Sequence, residues 1–163
     1  YSTTAYGRRR HVGNGLFHPN EGVRMRNERQ AVNFKIQGTA ADILKIVVAE
    51  AHRRGLFRRT GAAMIAPVYD ELASSVPYSA AYDFSMELKE LMEITPPGQA
   101  IPMVAEFEVS GDSWGHQEEI GETFTQDEFY AAIEKTKEDW SDKRAEEDID
   151  LHDEIEDPVV YDH

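Results

Sequence analysis

The sequence contains no cysteine, and only two of its 163 residues are tryptophan. The lack of cysteine excludes disulfide bonds, thiolate zinc sites and thiol nucleophiles. No apolar run reaches the roughly 20 residues that a membrane-spanning helix needs, and no N-terminal signal sequence is visible. We therefore expect a cytoplasmic protein with no membrane partner and with enough chain to bury one sizeable core.

The net charge of −14 is distributed unevenly along the chain. Residues 1–60 hold twelve Lys and Arg against four acids, so this segment carries +8 and the remainder carries −22. A basic face of this kind predicts an acidic partner such as nucleic acid. Residues 117–163, with eighteen acids and four bases, form an acidic extension.

Apolar spacing in the first third of the chain is typical of helices. The pattern predicts one helix that breaks or kinks at Gly38. A second helix is predicted over 40–54, with Thr39 and Asp42 as a capping box at its start and Gly55 just past its end.

Two short apolar runs, 62–68 and 72–76, flank an acidic pair. This pattern predicts a β-hairpin with Asp70 and Glu71 at its turn, and Pro67 limits its strand to an edge or bulge position.

The rest of the pattern completes an α+β fold class. It predicts a helix over 79–93, a strand over 101–109 by alternation, and a helix over about 126–144 that begins with a capping box of Thr125 and Glu128. The acidic end beyond this helix is expected to be disordered.

Arg29, Asn33 and Gln37 are spaced four residues apart and therefore share one face of the first predicted helix. Arg, Asn and Gln are side chains that hydrogen-bond base edges and sugars. A solvated polar face would have the same spacing, so both interpretations stay open on spacing alone.

Carboxylates at a hairpin turn, such as those of Asp70 and Glu71, are oxygen ligands of the kind that Mg²⁺ prefers. An Asp in a turn also commonly caps its own backbone, and one adjacent pair offers too few ligands. A two-metal site would need another carboxylate from elsewhere.

Arg8, Arg9 and Arg10 follow Gly7 and form a compact positive patch. Arg side chains bind phosphates through bidentate hydrogen bonds as well as charge. An ordinary solvated basic turn is the alternative.

Taken in order, four stretches of the sequence resemble the C-terminal part of a family A DNA polymerase, the family of bacterial DNA polymerase I. Their order and spacing agree over residues 1–116, and the eighteen-residue ERxAxNxxxQGTAADxxK pattern is the most specific. The stretches are TAYGRRRHV (4–12), ERQAVNFKIQGTAADILK (28–45), VYDEL (68–72) and IPMVAEFEVSGDSW (101–114).

The resemblance implies a palm-type antiparallel sheet with packed helices. It implies that the polar side chains of one palm helix touch the minor-groove side of base pairs at the primer–template junction, and that the basic run lies near the template. These roles fall on Arg29, Asn33 and Gln37, and on Arg8, Arg9 and Arg10.

The resemblance also implies that Asp70 binds the catalytic Mg²⁺ ions and that Glu71 assists nearby. The family has His before this acidic pair, whereas this chain has Tyr69. A tyrosine hydroxyl can still reach a primer terminus, with different hydrogen bonding.

The family's upstream motifs are missing, including the second metal-binding Asp and the fingers helix that binds the incoming nucleotide. The first residue, Tyr1, also indicates a piece of a longer polypeptide. Because two-metal phosphoryl transfer needs carboxylates from two strands, we expect the chain to be inactive alone. A second chain would complete it, as in a split or cleaved polymerase of bacteriophage type, with primer–template DNA and dNTPs as further partners.

Two domains are therefore expected: residues 1–116 as the C-terminal part of the palm, and residues 117–163 as the extension. The extension would dock through Phe129, Ile133 and Trp140, either on the palm or on a replication partner. The alternative function is a non-catalytic, palm-derived subunit for DNA binding or assembly.

Overall fold

The computed structural model describes the backbone of residues 1–155 and the side chains of residues 1–145. The chain divides into two units, Tyr1–Ala105 and a second unit that begins at Glu106. Both units combine helices with small antiparallel sheets of two strands each, which confirms the α+β class. The boundary at residue 116 between polymerase-like and additional sequence stays a prediction.

One long helix, α1 (Glu21–Arg53), carries most of the residues that the sequence singles out. Asn20 caps its N-terminus by accepting a hydrogen bond from the amide of Val23 at 3.3 Å. The helix continues through Gly38, so the predicted break at this residue is wrong. A Cβ on the buried Gly38 would lie 2.8 Å from Cγ2 of Thr4. Glycine is required here for close approach of the N-terminal segment, and the helix tolerates it because one helical glycine costs only about 1 kcal/mol.

The predicted capping box of Thr39 and Asp42 is also wrong, because both residues lie in the middle of α1. Thr39 accepts a hydrogen bond from the amide of Ala5 at 3.1 Å, and Asp42 forms an ion pair with Arg8. These polar side chains attach the N-terminal segment to the helix. That segment forms a two-stranded sheet of β1 (Ser2–Thr3) and β2 (Arg9–Arg10).

The core of the first unit lies where α1 packs on α3 (Ala81–Met92). Gly55 has the left-handed conformation, at φ +69°, and ends α1 as predicted. It also starts the short helix α2 (Leu56–Thr60). The helix α3 contributes three residues to this core, whose members are Ile43, Val47, Ala51, Leu56, Ala62, Phe84, Leu88 and Leu91.

The predicted hairpin is formed by β3 (Ala63–Val68) and β4 (Glu71–Ser75), which pair antiparallel. Its connection is the two-residue turn Tyr69-Asp70. The register of β3 shifts three residues before its end. Pro67 therefore lies in an irregular strand of a two-stranded sheet, in agreement with the predicted edge or bulge position.

The strand predicted over 101–109 is wrong for most of its length, because only β5 (Phe107–Val109) forms. Ile101 is 75% exposed. The amide of Ala105 donates to the side chain of Glu93 at 3.4 Å. Since Glu93, the C-cap residue of α3, satisfies this backbone group, the segment has no need of a neighbouring strand at this point.

In the second unit, β5 pairs with β6 (Glu118–Gly121) of the acidic extension. The chain then enters α4 (Gln126–Ile155), which is longer than the helix predicted over 126–144. No Pro or Gly interrupts this stretch of the sequence, so its backbone has no reason to leave the helix. The last part of the expected disordered end, residues 156–163, lies outside the described residues.

The capping box of Thr125 and Glu128 at the start of α4 is confirmed. The amide of Thr125 donates to the carboxylate of Glu128 at 2.7 Å, and the amide of Glu128 donates to the hydroxyl of Thr125 at 3.3 Å. The bond from the Thr125 amide, together with one from the Thr125 hydroxyl to the same carboxylate at 2.8 Å, lowers the pKa of the Glu128 carboxyl. Of the three residues predicted to dock, Phe129 and Ile133 are buried and Trp140 is half-buried, and Ala132 and Thr136 of α4 are buried as well.

Among the helices of the described residues, none has both the length and the apolar character to cross a membrane.

Candidate nucleic-acid interface

The polar face predicted on α1 is open to solvent. Arg29, Asn33 and Gln37 are all exposed along the N-terminal part of the helix, one turn apart. Within the described part of the chain, none of the three side chains has a hydrogen bond or ion pair. Because these polar side chains are exposed and have no partner within the described chain, their hydrogen-bonding groups are available for an external ligand.

The basic run lies on a different side of α1. The hydroxyl of Ser2, in β1, donates to the carbonyl of Ala31 at 2.6 Å, and β1 pairs with the strand of Arg9 and Arg10. Ala31 is two residues from Arg29, so the two point to roughly opposite sides of the helix. The structure therefore does not bring the basic run and the polar triplet to one common face.

Arg8 differs from its two neighbours in being held by α1. Its Nε lies 2.7 Å from Oδ1 of Asp42, and its Nη2 donates to the carbonyl of Gly38 at 2.7 Å. Its guanidinium also lies 5.5 Å from the ring centre of Phe34.

Arg10 also lies over Phe34, at 5.6 Å from the ring centre. Gln37 is three residues further along α1, so Phe34 borders the exposed polar face. Arg9 is exposed and, among the described residues, has no ion pair or ring contact. Arg9 and Arg10 have no carboxylate partner among the described residues, so their guanidinium groups are the ones available to bind a phosphate.

Some of the basic charge near the end of α1 is already neutralised within the chain. Glu50 accepts hydrogen bonds from Arg53 at 2.6 and 2.7 Å and from Arg54 at 2.9 Å. These hydrogen bonds lower the pKa of Glu50 from 4.5 to about 2. Arg54 reaches α3 at Glu90, 3.3 Å away. These arginines stabilise the end of α1 and add little to a DNA-binding face.

The hairpin turn presents Tyr69 and Asp70 to solvent, and Glu71, predicted to lie in the turn, is instead the exposed first residue of β4. Tyr69 has a positive φ of 54° and is 97% exposed. A positive φ is uncommon for a residue other than Gly, and a two-residue hairpin turn requires it. Leu72 packs on the core, so the acidic turn projects from an anchored strand.

The described residues do not form a magnesium site by themselves. No group of three or more His, Asp or Glu side chains among them is placed to hold a metal ion. The turn supplies carboxylate oxygens of the right chemistry from Asp70 and Glu71, but Mg²⁺ needs octahedral coordination from several oxygen ligands. The fit is therefore partial, and no step of the chemistry can be derived from this chain alone.

Sequence reasoning missed the roles of Phe34, Gly38 and Asp42, which bind the basic segment to α1. One signal was present in the sequence. Asp42 interrupts an apolar helix stripe, and a buried carboxylate requires a cationic partner. The identity of that partner depends on the tertiary fold and could not be read from spacing.

Comparison with known proteins identifies the family. Residues 1–116 match the family model described as DNA polymerase family A. Because this match covers more than half of the chain, the chain belongs to DNA polymerase family A.

Individual relatives agree with this assignment. The thermostable DNA polymerase I of Thermus caldophilus is 37% identical over 114 residues, which are 70% of this chain and 13% of the relative. The DNA polymerase I of Deinococcus radiodurans is 40% identical over 93 residues, which are 57% of this chain and 9% of the relative. The chain thus spans only about an eighth of the length of the thermostable relative.

A solved structure is also similar. It is described as the POL domain of Pol1 from M. smegmatis in complex with DNA primer-template and dNTP. It matches at a TM-score of 0.55 and 29% identity, over 63% of this chain and 18% of that chain. The fold of the matched part is therefore that of a polymerase-domain segment.

Proposed function

We propose that this chain is the C-terminal palm portion of a DNA-directed DNA polymerase, which adds nucleotides under the direction of a template. Family membership supports the class of enzyme. The observation that carries the proposal is the exposed row of Arg29, Asn33 and Gln37 within the matched region. This row is free for the end of a primer–template duplex.

Minor-groove sensing is the role that the chemistry of this row suits best. Every correct base pair presents acceptors at similar positions in the minor groove. Donors from Arg, Asn and Gln can therefore test whether a pair has the correct shape without reading which base is present. A polymerase needs this form of recognition because it must copy all four bases.

Asp70 is proposed as one carboxylate ligand of the Mg²⁺ ions that such a polymerase uses. When bound, Mg²⁺ would stabilise the charge that develops during phosphoryl transfer. Asp70 holds one side of that site at an exposed turn, and a carboxylate from another segment would complete it. Glu71 begins β4 beside the turn and would assist, and the hydroxyl of the exposed Tyr69 would hydrogen-bond DNA.

Further partners follow from the missing parts of the polymerase. The chain would pair with a second chain that carries the fingers, the thumb and the other catalytic Asp, and would act with dNTPs. Division of a polymerase by gene splitting or cleavage, as in a bacteriophage-type enzyme, stays a prediction, as does a cytoplasmic location. A replication partner would have to bind the exposed acidic surface of α4, because Phe129 and Ile133 are already buried.

A non-catalytic DNA-binding or assembly subunit is the second candidate. The observation that favours it is the lack of a metal-holding group among the described residues. The two candidates differ in whether a partner carboxylate comes to lie beside Asp70. Intact-complex mass measurement after affinity purification would identify the partner, and a nucleotide-incorporation assay of that complex would separate the candidates.

DNA binding itself can be tested on the 163-residue chain. A primer–template with a recessed end, labelled with a fluorophore, would be titrated with wild type, Arg29→Gln and Lys45→Gln. Both variants remove one exposed cation from α1, but Lys45 does not lie on the polar face. We expect Arg29→Gln to weaken binding more than Lys45→Gln, and equal effects would contradict the proposed face.

A further inference from the structure

The three arginines of the basic run have different environments, although the sequence presents them as equivalent. Arg8 has two charged or polar partners on α1, Asp42 and the carbonyl of Gly38, each at 2.7 Å. Its side chain is 40% exposed, whereas that of Asp42 is 11% exposed. The guanidinium is thus attached at its inner edge to a nearly buried carboxylate.

Asp42 depends on Arg8 for its charge compensation. The residue is only 9% exposed and is followed on α1 by the buried Ile43 and Leu44. Its Oδ1 bonds to Arg8, while its Oδ2 is buried and has no hydrogen-bond partner in the described structure. A buried carboxylate is costly without its cation, so Arg8 cannot leave Asp42 to bind a phosphate at no cost.

Backbone amides of the N-terminal segment, residues 1–10, add hydrogen bonds to this attachment. The amide of Arg8 donates to the hydroxyl of Thr4 at 3.1 Å. The amide of Ala5 donates to the hydroxyl of Thr39 at 3.1 Å. The turn between β1 and β2 is therefore fastened to α1 at two successive turns of the helix, and Arg8 forms its ionic contact.

Alternation along the chain separates the remaining arginines. Arg8 and Arg10 both lie over the ring of Phe34, as expected for side chains two residues apart. Arg9 projects to the other side of the strand. Fixing Arg8 therefore fixes the direction of Arg9 and the position of Arg10.

We propose that Arg8 and Asp42 form a positioning pair, which holds the strand of Arg9 and Arg10 in place for DNA, and that Arg8 itself makes no phosphate contact. This inference rests on the proposed function, because it assumes that the basic run faces DNA. It assigns the phosphate contacts to Arg9 and Arg10.

A change at Asp42 separates positioning from simple charge. Asp42→Asn removes a negative charge and keeps the shape of the side chain. If charge alone mattered, the variant would bind DNA more tightly. If the ion pair positions the strand, the variant binds more weakly even though the protein has become less acidic.

The experiment measures the affinity of the 163-residue chain for a labelled primer–template at several salt concentrations. The variants are Arg8→Gln, Arg9→Gln, Asp42→Asn and the double variant Arg8→Gln with Asp42→Asn. Asp83→Asn, at an exposed site on α3, is the matched control for the loss of one negative charge. Circular dichroism establishes that each variant is folded at the temperature of the titration.

The expected results distinguish the roles by the slope of the logarithm of the binding constant against the logarithm of the salt concentration. Asp42→Asn and Arg8→Gln should each lower affinity by about three- to tenfold with little change in slope, and the double variant should be no weaker than either. Arg9→Gln should reduce the slope by about one, because one phosphate contact is lost. Asp83→Asn should bind as wild type or slightly more tightly.

Other outcomes overturn the inference in distinguishable ways. A loss of slope in Arg8→Gln would make Arg8 a phosphate contact. Unchanged or tighter binding by a folded Asp42→Asn variant would show that the pair is only structural. Failure of the wild-type chain to bind the duplex would overturn the proposed DNA face, and the positioning role with it.

Discussion

Asp70 and Glu71 are neighbours in sequence, but the hairpin gives them different positions. Asp70 occupies the turn, whereas Glu71 is the first residue of β4 and pairs with Val68. Adjacent residues at a strand end point in different directions. Only one of the two carboxylates is therefore expected to be a direct metal ligand.

Asp70→Ala should reduce nucleotide incorporation by the complete polymerase by at least about 100-fold, the scale of losing one preorganised electrostatic contact. DNA binding should remain close to normal, because the proposed metal ligand would serve only the chemical step. Glu71→Ala is the matched control and should cost much less. Primer-extension rates at saturating dNTP measure both effects, and near-normal extension by Asp70→Ala would reject the assignment.

The exposed face of α1 leads to a prediction about fidelity. Gln37→Ala and Arg29→Ala should reduce extension most from mismatched or weakly paired primer ends, by about tenfold for the loss of a good groove contact. Single-turnover extension from matched and mismatched ends measures the difference, with Lys45→Ala as the control. Equal losses at both kinds of end would indicate a structural helix face.

At the residue scale, the sequence predicts which side chains are exposed better than it predicts which ones pair. The four-residue spacing of Arg29, Asn33 and Gln37 was sufficient to place them on one open face. The ion pair of Arg8 with Asp42 joins residues 34 positions apart, and no local pattern encodes that contact. The spacing therefore predicted that Asp42 caps a helix, whereas the buried Asp42 attaches Arg8 to the middle of α1.

At the scale of elements, the C-terminal end of α1 is fixed by an ionic cluster around Glu50. The hydrogen bonds of Arg53 and Arg54 lower the pKa of the Glu50 carboxyl to about 2 from 4.5. A lowered pKa means that the ionised carboxylate is more stable in the folded state than in the unfolded state, so its ionisation stabilises the fold. The resulting stability is complete above about pH 4.5 and is lost as the pH falls toward about 2.

Glu50→Gln should therefore lower the free energy of unfolding near neutral pH, and the difference from wild type should shrink as the medium is acidified below the ordinary pKa of Glu. Urea titrations across a pH series measure this difference. Glu119→Gln, at an exposed site on β6, is the control. A difference between wild type and Glu50→Gln that does not change with pH would argue against the ionic cluster.

Elements with strong local signals were predicted well, and those that depend on distant contacts were not. α3, the β3–β4 hairpin and the cap of α4 follow from apolar spacing, turn residues and the Thr125–Glu128 pair. The break at Gly38 was wrong because glycine serves a close approach by Thr4. The strand over 101–109 was wrong for most of its length because Glu93, just past the end of α3, satisfies the backbone amide of Ala105 in place of a strand.

At the scale of the whole molecule, the isolated chain should show no polymerase activity with Mg²⁺, primer–template and dNTPs. The physical reason is that its hairpin would supply only one side of the proposed two-metal site, which needs carboxylates from two strands. Extension assays on rigorously purified chain test this expectation, with the partner-containing complex as the positive control. Turnover by the chain alone would reject it.

Two parts of the acidic extension must be tested separately, namely the contacts of β6 and α4 within the second unit and the run of acids after Ala145. β6 pairs with β5, and the amide of Gly111 donates to the hydroxyl of Thr136 at 2.9 Å. Cutting after Trp114 would remove these contacts and unfold the second unit. Cutting after Ala145 keeps them and removes nine acids and no Lys or Arg.

Truncation after Ala145 should leave thermal stability nearly unchanged and tighten non-specific DNA binding at low salt, because net negative charge repels phosphate. The two proteins should converge at high salt, where charges are screened. Binding of a random duplex across a salt series measures the effect. Identical binding at low salt would mean that the terminal acids serve only solubility.

The open edges of the β3–β4 hairpin affect the tendency of the chain to aggregate. Within the described structure these two strands pair only with each other, so both outer edges keep free backbone groups, and Ile65 is 62% exposed. Open edges are templates for strands of other molecules. Pro67 removes one donor and discourages such contacts on β3 alone. These open edges make the chain prone to aggregation wherever they stay uncovered.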